Sequence, residues 1–366
     1  MPRLWNVPVR DSTRVRDARV AAEDAAALAG LDERSTAAVS LVATELATNL
    51  LKHARDGEVL IDVVQPSVLR EGGRAPAVQI AAVDHGPGIA DVADALRDGF
   101  STTRSLGAGL GTCRRLSDEF ALHSVLGRGT VAVARVGGGA PPSPGDDGPP
   151  GDGGPPGDGG PPVPVIRAGG VNVPYARADY SGDAWVWVRS GDRHTLMLAD
   201  GLGHGPEAAR ASTAAVEAVR RRPRLAPAEA LLRLHEELGA TRGAAVAVAQ
   251  LDTRTGRLRF AGIGNIGARL REGDRWRALL SRPGIVGHHR PGTVREDDLA
   301  WSAGSVLILH TDGLPSSWTP PSDPCLPAAD PAVTAAVTIR DAGSAARPVR
   351  DDTAVAVLTS APPGRS

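Results

Sequence analysis

The sequence predicts an α+β protein with two domains, and three observations lead to this prediction. Residues 137–164 contain almost no apolar side chains and repeat Gly, Asp and Pro (GDDGPP, GDGGPP, GDGGPP), which predicts a disordered linker. The residues before the linker begin with two Ala-rich stretches at helical spacing. The residues after it form short apolar runs between turns, as strands do. We therefore expect two bodies on one tether, at 1–136 and 165–360, and a tail at 361–366.

The composition disfavours several classes of protein. The formal net charge is −1 and the pI is about 6.8, so neither nucleic acid nor a membrane surface is favoured as a partner. No run approaches the roughly 18 apolar residues of a membrane span, and the amino terminus lacks the apolar core of a secretory signal, which predicts a cytoplasmic protein. Cys113 and Cys325 are the only cysteines and offer no disulfide framework.

Two helices and a strand are predicted before residue 65. Residues 12–29 place apolar side chains near helical spacing and end at Gly30, a common helix stop. A second helix is predicted at 34–54, and a strand at 58–64. The second helix carries polar side chains on one face, at i, i+4 and i+7: Glu45, Asn49 and Lys52. Such a stripe is typical of a solvated face as well as of a ligand site, and the pattern alone leaves both open.

A buried strand is predicted at 77–83 (AVQIAAV), and it ends in Asp84 followed by glycines. A carboxylate at a strand end, where glycines let the backbone approach a ligand, suits recognition of a purine amino group. Gly107, Gly109 and Gly111 then open a helix predicted over LGTCRRLSDEF. Unpaired N–H groups at a helix start suit a polyphosphate. This glycine pattern is neither a Walker loop nor a dinucleotide fingerprint.

The order of these motifs, with Gly129 and Thr130 entering a later strand, resembles the GHKL (Bergerat) ATP-binding α/β sandwich. It is most similar to the small serine kinases and anti-sigma factors of partner-switching systems, the RsbT and RsbW group. The resemblance implies ATP and Mg²⁺ as cofactors, Glu45 as the catalytic base or orienting group, and Asn49 as a magnesium ligand. It implies that further residues bind ATP: Asn49, Lys52, Asp84, Gly86, Gly88, Gly107, Gly109, Gly111 and Thr130. For Lys52, an ordinary surface position is an equally good interpretation.

After the linker, aspartates abut predicted strands. The strands are predicted at 184–189, 195–199, 243–251, 258–263, 305–310 and 353–359, with helices after residue 205 and at 227–238. The aspartates at their ends are Asp183, Asp200, Asp312, Asp351 and Asp352. One aspartate at a strand end is usually a turn former. Several at equivalent ends, without His or Cys partners, suit Mg²⁺ or Mn²⁺, and a two-metal site supports attack on a phosphate ester.

The ordered set SGDAW, LADGLGHG, HTDGL and RDDTAV resembles the SpoIIE-type branch of the metal-dependent serine/threonine phosphatases, especially the short RsbX-like members. The resemblance implies an αββα sandwich in which Asp200 bridges two metal ions, helped by the Gly201 carbonyl. It places Asp183 on one ion, with Asp312 and Asp351 on the other.

Three points in this half stay open. Asp352 is the alternative to Asp351 as a ligand. His204 either orients phosphate or is structural. The Pro- and Ala-rich residues 318–347 match the phosphatase family poorly, which leaves substrate docking there undecided.

The two resemblances together imply a bifunctional partner-switching regulator. Its kinase would phosphorylate a STAS-domain switch protein on serine, and its phosphatase would remove that phosphate. In the alternative, the ATP-binding domain only holds a partner such as a sigma factor, or serves as a sensor, and the phosphatase is the sole enzyme. A histidine kinase is disfavoured because no histidine precedes residue 34. Relatives of the first domain can dimerise, so a homodimer through that domain is a further expectation.

Overall fold

The computed structural model describes residues 3–54, 56–65, 76–96, 109–137, 165–289, 292–323, 325–343 and 351–361. The predicted linker, apart from Gly137, lies outside these ranges, and so does Gly107. Gly137 is the last residue of a strand. None of the described helices is long and apolar enough to cross a membrane.

The amino-terminal domain is a five-stranded antiparallel sheet with two long helices on one face. In chain order its strands are β1 (Trp5–Pro8), β2 (Glu58–Val64), β3 (Ala77–Val83), β4 (Glu119–Val125) and β5 (Gly129–Gly137). Its helices are α1 (Ser12–Ala29), α2 (Glu33–His53), α3 (Val92–Ala95) and α4 (Gly109–Leu116). The strand order is β1-β2-β3-β5-β4, so β3, which Asp84 directly follows, is the central strand.

Local sequence accounts for the two long helices. Asp11 caps α1 by accepting the backbone N–H groups of Thr13 and Arg14, and Gly30 ends it with φ of 69°. The buried face of α1 consists only of alanines, which lets α2 pack closely against it. The prediction of a helix at 12–29 is confirmed, and α2 differs from its prediction by one residue at each end.

The helix predicted over LGTCRRLSDEF is wrong in its second half. The helix α4 ends at Leu116, and Glu119 begins the edge strand β4. The Asp118 N–H already donates to the Arg135 carbonyl at 2.9 Å, so the ladder with β5 starts directly after the helix. Pairing with a neighbouring strand outweighs local helix propensity here.

The carboxy-terminal domain consists of two five-stranded antiparallel sheets packed face to face. One sheet has the order β13-β10-β9-β8-β7, and the other has the order β12-β11-β14-β15-β6. The strands are β6 (Val165–Val173), β7 (Asp183–Ser190), β8 (Arg193–Gly201), β9 (Ala244–Asp252), β10 (Arg257–Ile263), β11 (Gly267–Glu272), β12 (Arg275–Leu279), β13 (Asp297–Ala300), β14 (Val306–His310) and β15 (Thr353–Ala361). Between the sheets lies a Leu- and Ala-rich core that includes Phe260.

Helices cover both outer faces of this sandwich. They are α5 (Pro206–Arg221), α6 (Pro227–Glu237) and α7 (Pro331–Ala342). Helices α5 and α6 cover the first sheet, and α7 lies on β6 and β15 of the second. The predicted αββα sandwich is confirmed, although α7 falls in the segment that matched the family poorly.

Helix α7 also contacts the amino-terminal domain. It packs against β3, β4 and β5 on the face of their sheet that α1 and α2 leave open. One apolar cluster joins both domains through this helix, and its amino-terminal members are Leu60, Ala81, Val83, Val131 and Val133. All seven residues of β3 are buried for this reason. The two bodies therefore share a core, which the sequence does not predict.

Candidate functional site

The first group of predicted nucleotide-binding residues lies where α2 faces α4. A Cβ atom on Gly109, the first residue of α4, would lie 3.4 Å from the Asn49 amide. Burial, and then the charge of Glu45 one turn before Asn49, raises the pKa of the Cys113 thiol in α4 to about 12. Gly111 is buried within α4. The predicted Glu45–Asn49 face is thus turned towards the glycine-rich helix start.

The second group surrounds Asp84 at the end of β3. Its buried carboxylate accepts the Gly86 N–H at 2.6 Å, and its own N–H donates to the Thr130 carbonyl at 3.0 Å. Burial raises the pKa of Asp84, and the Gly86 N–H opposes this rise. The Thr130 hydroxyl lies 2.8 Å from the Ser124 hydroxyl. Asp84 is therefore a buried acceptor held by backbone groups.

The glycines near Asp84 are required by close backbone contacts. A Cβ on Gly129, where φ is 101°, would lie 2.0 Å from the Asp84 carbonyl oxygen. A Cβ on Gly88, where φ is 76°, would lie 2.4 Å from the Val125 carbonyl oxygen, and one on Gly86 would lie 3.1 Å from the Cα of Ala54. This tight packing of backbone around a buried acceptor fits an adenine-binding loop.

The remaining predicted residues of this domain are less informative. Lys52 lies exposed in the last turn of α2, and Gly107 lies outside the described residues. Their roles stay predictions.

In the carboxy-terminal domain, Asp183 and Asp200 lie directly opposite each other on the paired strands β7 and β8. Asp183 is buried, with 3% of its surface exposed. Gly201, the residue after Asp200, packs closely on α5, because a Cβ there would lie 2.1 Å from the Ala208 carbonyl oxygen. This close backbone contact places the end of β8 against the start of α5.

The other aspartates meet this pair from β14 and β15. Gly313 packs so closely on Asp352 that a Cβ would lie 2.3 Å from the Asp352 carbonyl oxygen, which brings Asp312 beside Asp351 and Asp352. The buried Asp352 carboxylate accepts backbone N–H groups from Tyr175 and Gly182, each at 2.7 Å. Asp351 is exposed. This arrangement favours Asp351 over Asp352 as a ligand, because both oxygens of Asp352 already hold the loop.

These carboxylates repel one another. Burial and then the charge of Asp200 raise the pKa of Asp183 well above its usual range. Burial, followed by Asp312 and Asp351, raises the pKa of Asp200 to about 7. One oxygen of Asp183, Oδ1, is buried without a hydrogen-bond partner in the described residues. A divalent cation would relieve both the repulsion and the unpaired oxygen, so the residues fit such an ion.

The acidic side chains interact electrostatically, but they are not arranged as a complete metal-coordination site. Within the part of the chain that the structure describes, no three His, Cys, Asp or Glu side chains are grouped closely enough to hold one metal ion. His204 lies exposed between this site and α5, which neither favours nor excludes a role with phosphate.

Three neighbours of this site have no role in the sequence prediction. The Thr311 hydroxyl donates to Asp183 at 2.7 Å, and the Asn265 amide donates to Asp312 at 2.7 Å. The Arg242 guanidinium borders Gly203, where it would lie 3.2 Å from a Cβ. Only Thr311 has a local signal, its place beside Asp312, because the other two come from distant loops.

Two features define the class of protein. The sheet of the amino-terminal domain has a strand that is followed by a buried aspartate suited to a nucleotide base, and the αββα sandwich has a cluster of aspartates at its strand ends. It is an ATPase-like domain of the histidine-kinase type fused to a metal-dependent phosphatase fold. The class implies ATP and divalent metal ions as cofactors.

Comparison with known proteins agrees with this class. Residues 9–135 match the family described as "Histidine kinase-like ATPase domain", and residues 190–359 match "Stage II sporulation protein E (SpoIIE)". The "Serine/threonine-protein kinase RsbT" of Bacillus subtilis (strain 168) is 41% identical over 98 residues, which are 27% of this chain and 69% of that kinase.

Two solved structures are also similar to parts of the chain. One, described as "The bacterial stressosome: a modular system that has been adapted to control secondary messenger signaling", is 28% identical, with 53% of this chain and 98% of that chain covered and a TM-score of 0.46. The other, RsbX in complex with magnesium, is 18% identical, with 54% and 96% covered and a TM-score of 0.45.

The family assignment rests on the kinase relative and the two family matches. Through its amino-terminal domain the chain belongs to the RsbT family of serine/threonine-protein kinases, and a SpoIIE-type phosphatase domain follows. The protein is therefore an enzyme of the protein-phosphatase class that also carries a kinase-type domain.

Proposed function

We propose that this protein both adds and removes phosphate on serine of a STAS-type switch protein. The amino-terminal domain transfers phosphate from ATP, and the carboxy-terminal domain hydrolyses the phosphoserine. The observation that carries the proposal is the group of mutually repelling acids around Asp200, in the same chain as the Asp84 strand end. A sigma factor as a second partner, and a homodimer through the amino-terminal domain, remain parts of this proposal.

In the phosphatase, four carboxylates and one backbone carbonyl would hold the metal ions: Asp183, Asp200, Asp312, Asp351 and the carbonyl of Gly201. Bound divalent ions supply Lewis-acid activation of water and phosphate at neutral pH. Thr311 and Asn265 fix two of the carboxylates by hydrogen bonds, which keeps them oriented. The Arg242 guanidinium beside Gly203 provides a cation for the substrate phosphate.

In the kinase, Asp84 would accept the adenine amino group, and Asn49 would hold Mg²⁺ against the phosphates. Glu45 would orient the attacking serine hydroxyl or accept its proton. Positioning and electrostatics supply most of the rate enhancement in phosphoryl transfer, so these three side chains account for the main requirements.

The test is a phosphotransfer assay with the full chain, ATP, Mg²⁺ or Mn²⁺ and a STAS-domain switch protein. We expect phosphoserine to accumulate with Asp200→Asn, because its removal is blocked, and to be absent with Glu45→Gln. Matched controls are Asp274→Asn in an exposed turn and Glu33→Gln in the first turn of α2. Both controls should behave as the unmodified protein does.

The outcome also separates the alternative function. If Asp200→Asn binds ATP and the switch protein but transfers no phosphate, the amino-terminal domain is a binding or sensory module. If the unmodified protein shows no phosphatase activity with any divalent ion, the proposal fails as a whole.

A further inference from the structure

The interface between the two domains contains a buried ion pair. The Arg135 guanidinium of β5 donates two hydrogen bonds to Asp330, both at 2.9 Å, and each residue is at least 95% buried. Arg135 also donates to Glu119 at 2.7 Å and to Gln79 at 2.9 Å, and Arg167 donates to Asp330 at 2.8 Å. These contacts hold the pKa of Asp330 at about 2 despite its burial. A satisfied buried network of this kind selects one docking geometry.

Backbone contacts fix the same geometry. Asp330 caps α7, and the helix approaches β6 so closely that a Cβ on Gly169 would lie 2.8 Å from the Ala332 nitrogen. The Gln79 amide of β3 donates to the Gly170 carbonyl of β6 at 3.0 Å. The start of α7 is therefore held between strands of both domains.

The end of α7 lies beside the predicted nucleotide loop. The His85 ring, next to Asp84, lies 3.1 Å from the Arg340 carbonyl oxygen. Asp341 lies 3.7 Å from Arg128, which directly precedes Gly129. The Arg340 side chain is 2% exposed, and its Nη1 has no hydrogen-bond partner among the described residues. The loop after Asp84 and the turn before Gly129 thus contact the last turn of this helix.

Helix α7 is also connected to the acidic site. It packs on strand β15, which begins directly after Asp351 and Asp352. Asp352 holds the N–H of Gly182, the residue before Asp183. A chain of packed elements therefore connects the nucleotide loop with the carboxylates, as a physical route for coupling requires.

We propose that α7 couples the two sites, so that nucleotide bound in the amino-terminal domain changes the phosphatase rate of the same chain. The proposal rests on the proposed function, because it needs both a nucleotide site and a phosphatase. It makes the amino-terminal domain a regulatory partner of the phosphatase, docked through residues 330–341. A nucleotide that tightens the Asp84 loop acts on α7 because the loop and the helix end touch.

The experiment measures hydrolysis of p-nitrophenyl phosphate by the full chain with Mn²⁺, with and without a non-hydrolysable ATP analogue. This small substrate needs no protein partner. We expect the analogue to change kcat/KM by about fivefold or more, the usual lower range of coupling between sites. Calorimetry of analogue binding is done on the same sample.

The variant that breaks the route is Gly169→Ala, because its methyl group pushes the start of α7 away without touching either site. It should retain basal hydrolysis and analogue binding, and lose the response. The matched control is Gly239→Ala, whose methyl group would meet only one atom, at an ordinary 3.8 Å. Should Gly169→Ala fail to fold, Asp330→Asn replaces it, because it weakens the network without adding volume.

The outcomes distinguish this inference from the proposed function. If the analogue binds and the unmodified protein hydrolyses the substrate at an unchanged rate, the coupling is wrong, whereas nucleotide binding and phosphatase activity are both present. A response that survives in the interface variants also overturns the role of α7. Absence of hydrolysis or of analogue binding contradicts the proposed function itself.

Discussion

Both domains place aspartate at the end of a buried strand, but the surroundings of the carboxylates differ. Asp84 accepts a backbone N–H at 2.6 Å, and among the described residues no other acid contributes to the shift of its pKa. Asp200 lies among three further acids, and their charges add to burial in raising its pKa. Strand ends of the same kind thus produce two kinds of site.

These surroundings determine what each site can bind. A single buried carboxylate that already accepts a backbone N–H suits a neutral donor such as an amino group, because no second acid adds repulsion that a cation would have to offset. A cluster of acids whose carboxylates form no ion pair with arginine or lysine among the described residues needs cations. Asp330, which has Arg135 and Arg167 as partners, shows the third case, a structural ion pair whose pKa is low.

The largest effect is expected for Asp200→Asn. Metal ions supply several kcal/mol of transition-state stabilisation, so losing this proposed metal ligand should lower the phosphatase rate about a thousandfold. Nucleotide binding should not change. The check is p-nitrophenyl phosphate hydrolysis beside Asp274→Asn, and a loss of less than about tenfold would remove Asp200 from the metal site.

Asp84→Asn should affect only the other domain. Removing a charged acceptor costs about 1.5–3 kcal/mol, which weakens nucleotide binding roughly 10- to 100-fold. Calorimetry with the ATP analogue measures this effect, and Mn²⁺ affinity of the phosphatase site serves as the internal control. Unchanged nucleotide affinity would show that Asp84 does not contact the base.

The two adjacent acids before β15 should separate into ligand and structural residue. Asp351→Asn should weaken Mn²⁺ binding by roughly tenfold and leave the free energy of unfolding unchanged. Asp352→Asn should lower the free energy of unfolding by roughly 2 kcal/mol, because it weakens two charge-assisted hydrogen bonds. Denaturant unfolding and calorimetry on both variants decide the matter, and the reversed pattern would make Asp352 the ligand.

The smallest effect compares the pH responses of the two domains. Burial lowers the pKa of His194 in β8 to about 4, so its contribution to stability is lost as the pH falls from about 6.5 towards 4. Burial raises the pKa of Asp62 in β2 to about 7, so its contribution is lost as the pH rises from about 4 to 7. His194→Phe should therefore reduce the loss of unfolding free energy between pH 7 and pH 5 by roughly 1–2 kcal/mol. Asp62→Asn should reduce the gain of unfolding free energy that protonation of Asp62 gives over the same pH range. Chemical denaturation at several pH values tests both, and parallel curves for all three proteins would contradict the assignment.

Much of the fold can be predicted because it depends on local patterns. The helix at 12–29 has its cap and its glycine stop in the sequence, and β3 is an apolar run that only Gln79 interrupts. The aspartates at strand ends are also visible, since each directly adjoins an apolar stretch. The boundary between α4 and β4 was missed because the pairing partner, β5, lies later in the chain.

The contacts that join distant segments could not be predicted. Arg135 and Asp330 are 195 residues apart, and nothing in either segment indicates the other. The Ala- and Pro-rich residues around α7 lack an amphipathic pattern because this helix is buried on nearly all sides. Distance along the chain hides Asn265 as well, because its hydrogen bond to Asp312 joins two separate loops.

The most direct test of the central claim is a calorimetric titration of the full chain with Mn²⁺, without nucleotide. We predict binding in the unmodified protein and in Asp274→Asn, and its loss in Asp183→Asn and Asp200→Asn. If Mn²⁺ does not bind, or binds all four proteins equally, the acids at these strand ends do not form a metal site.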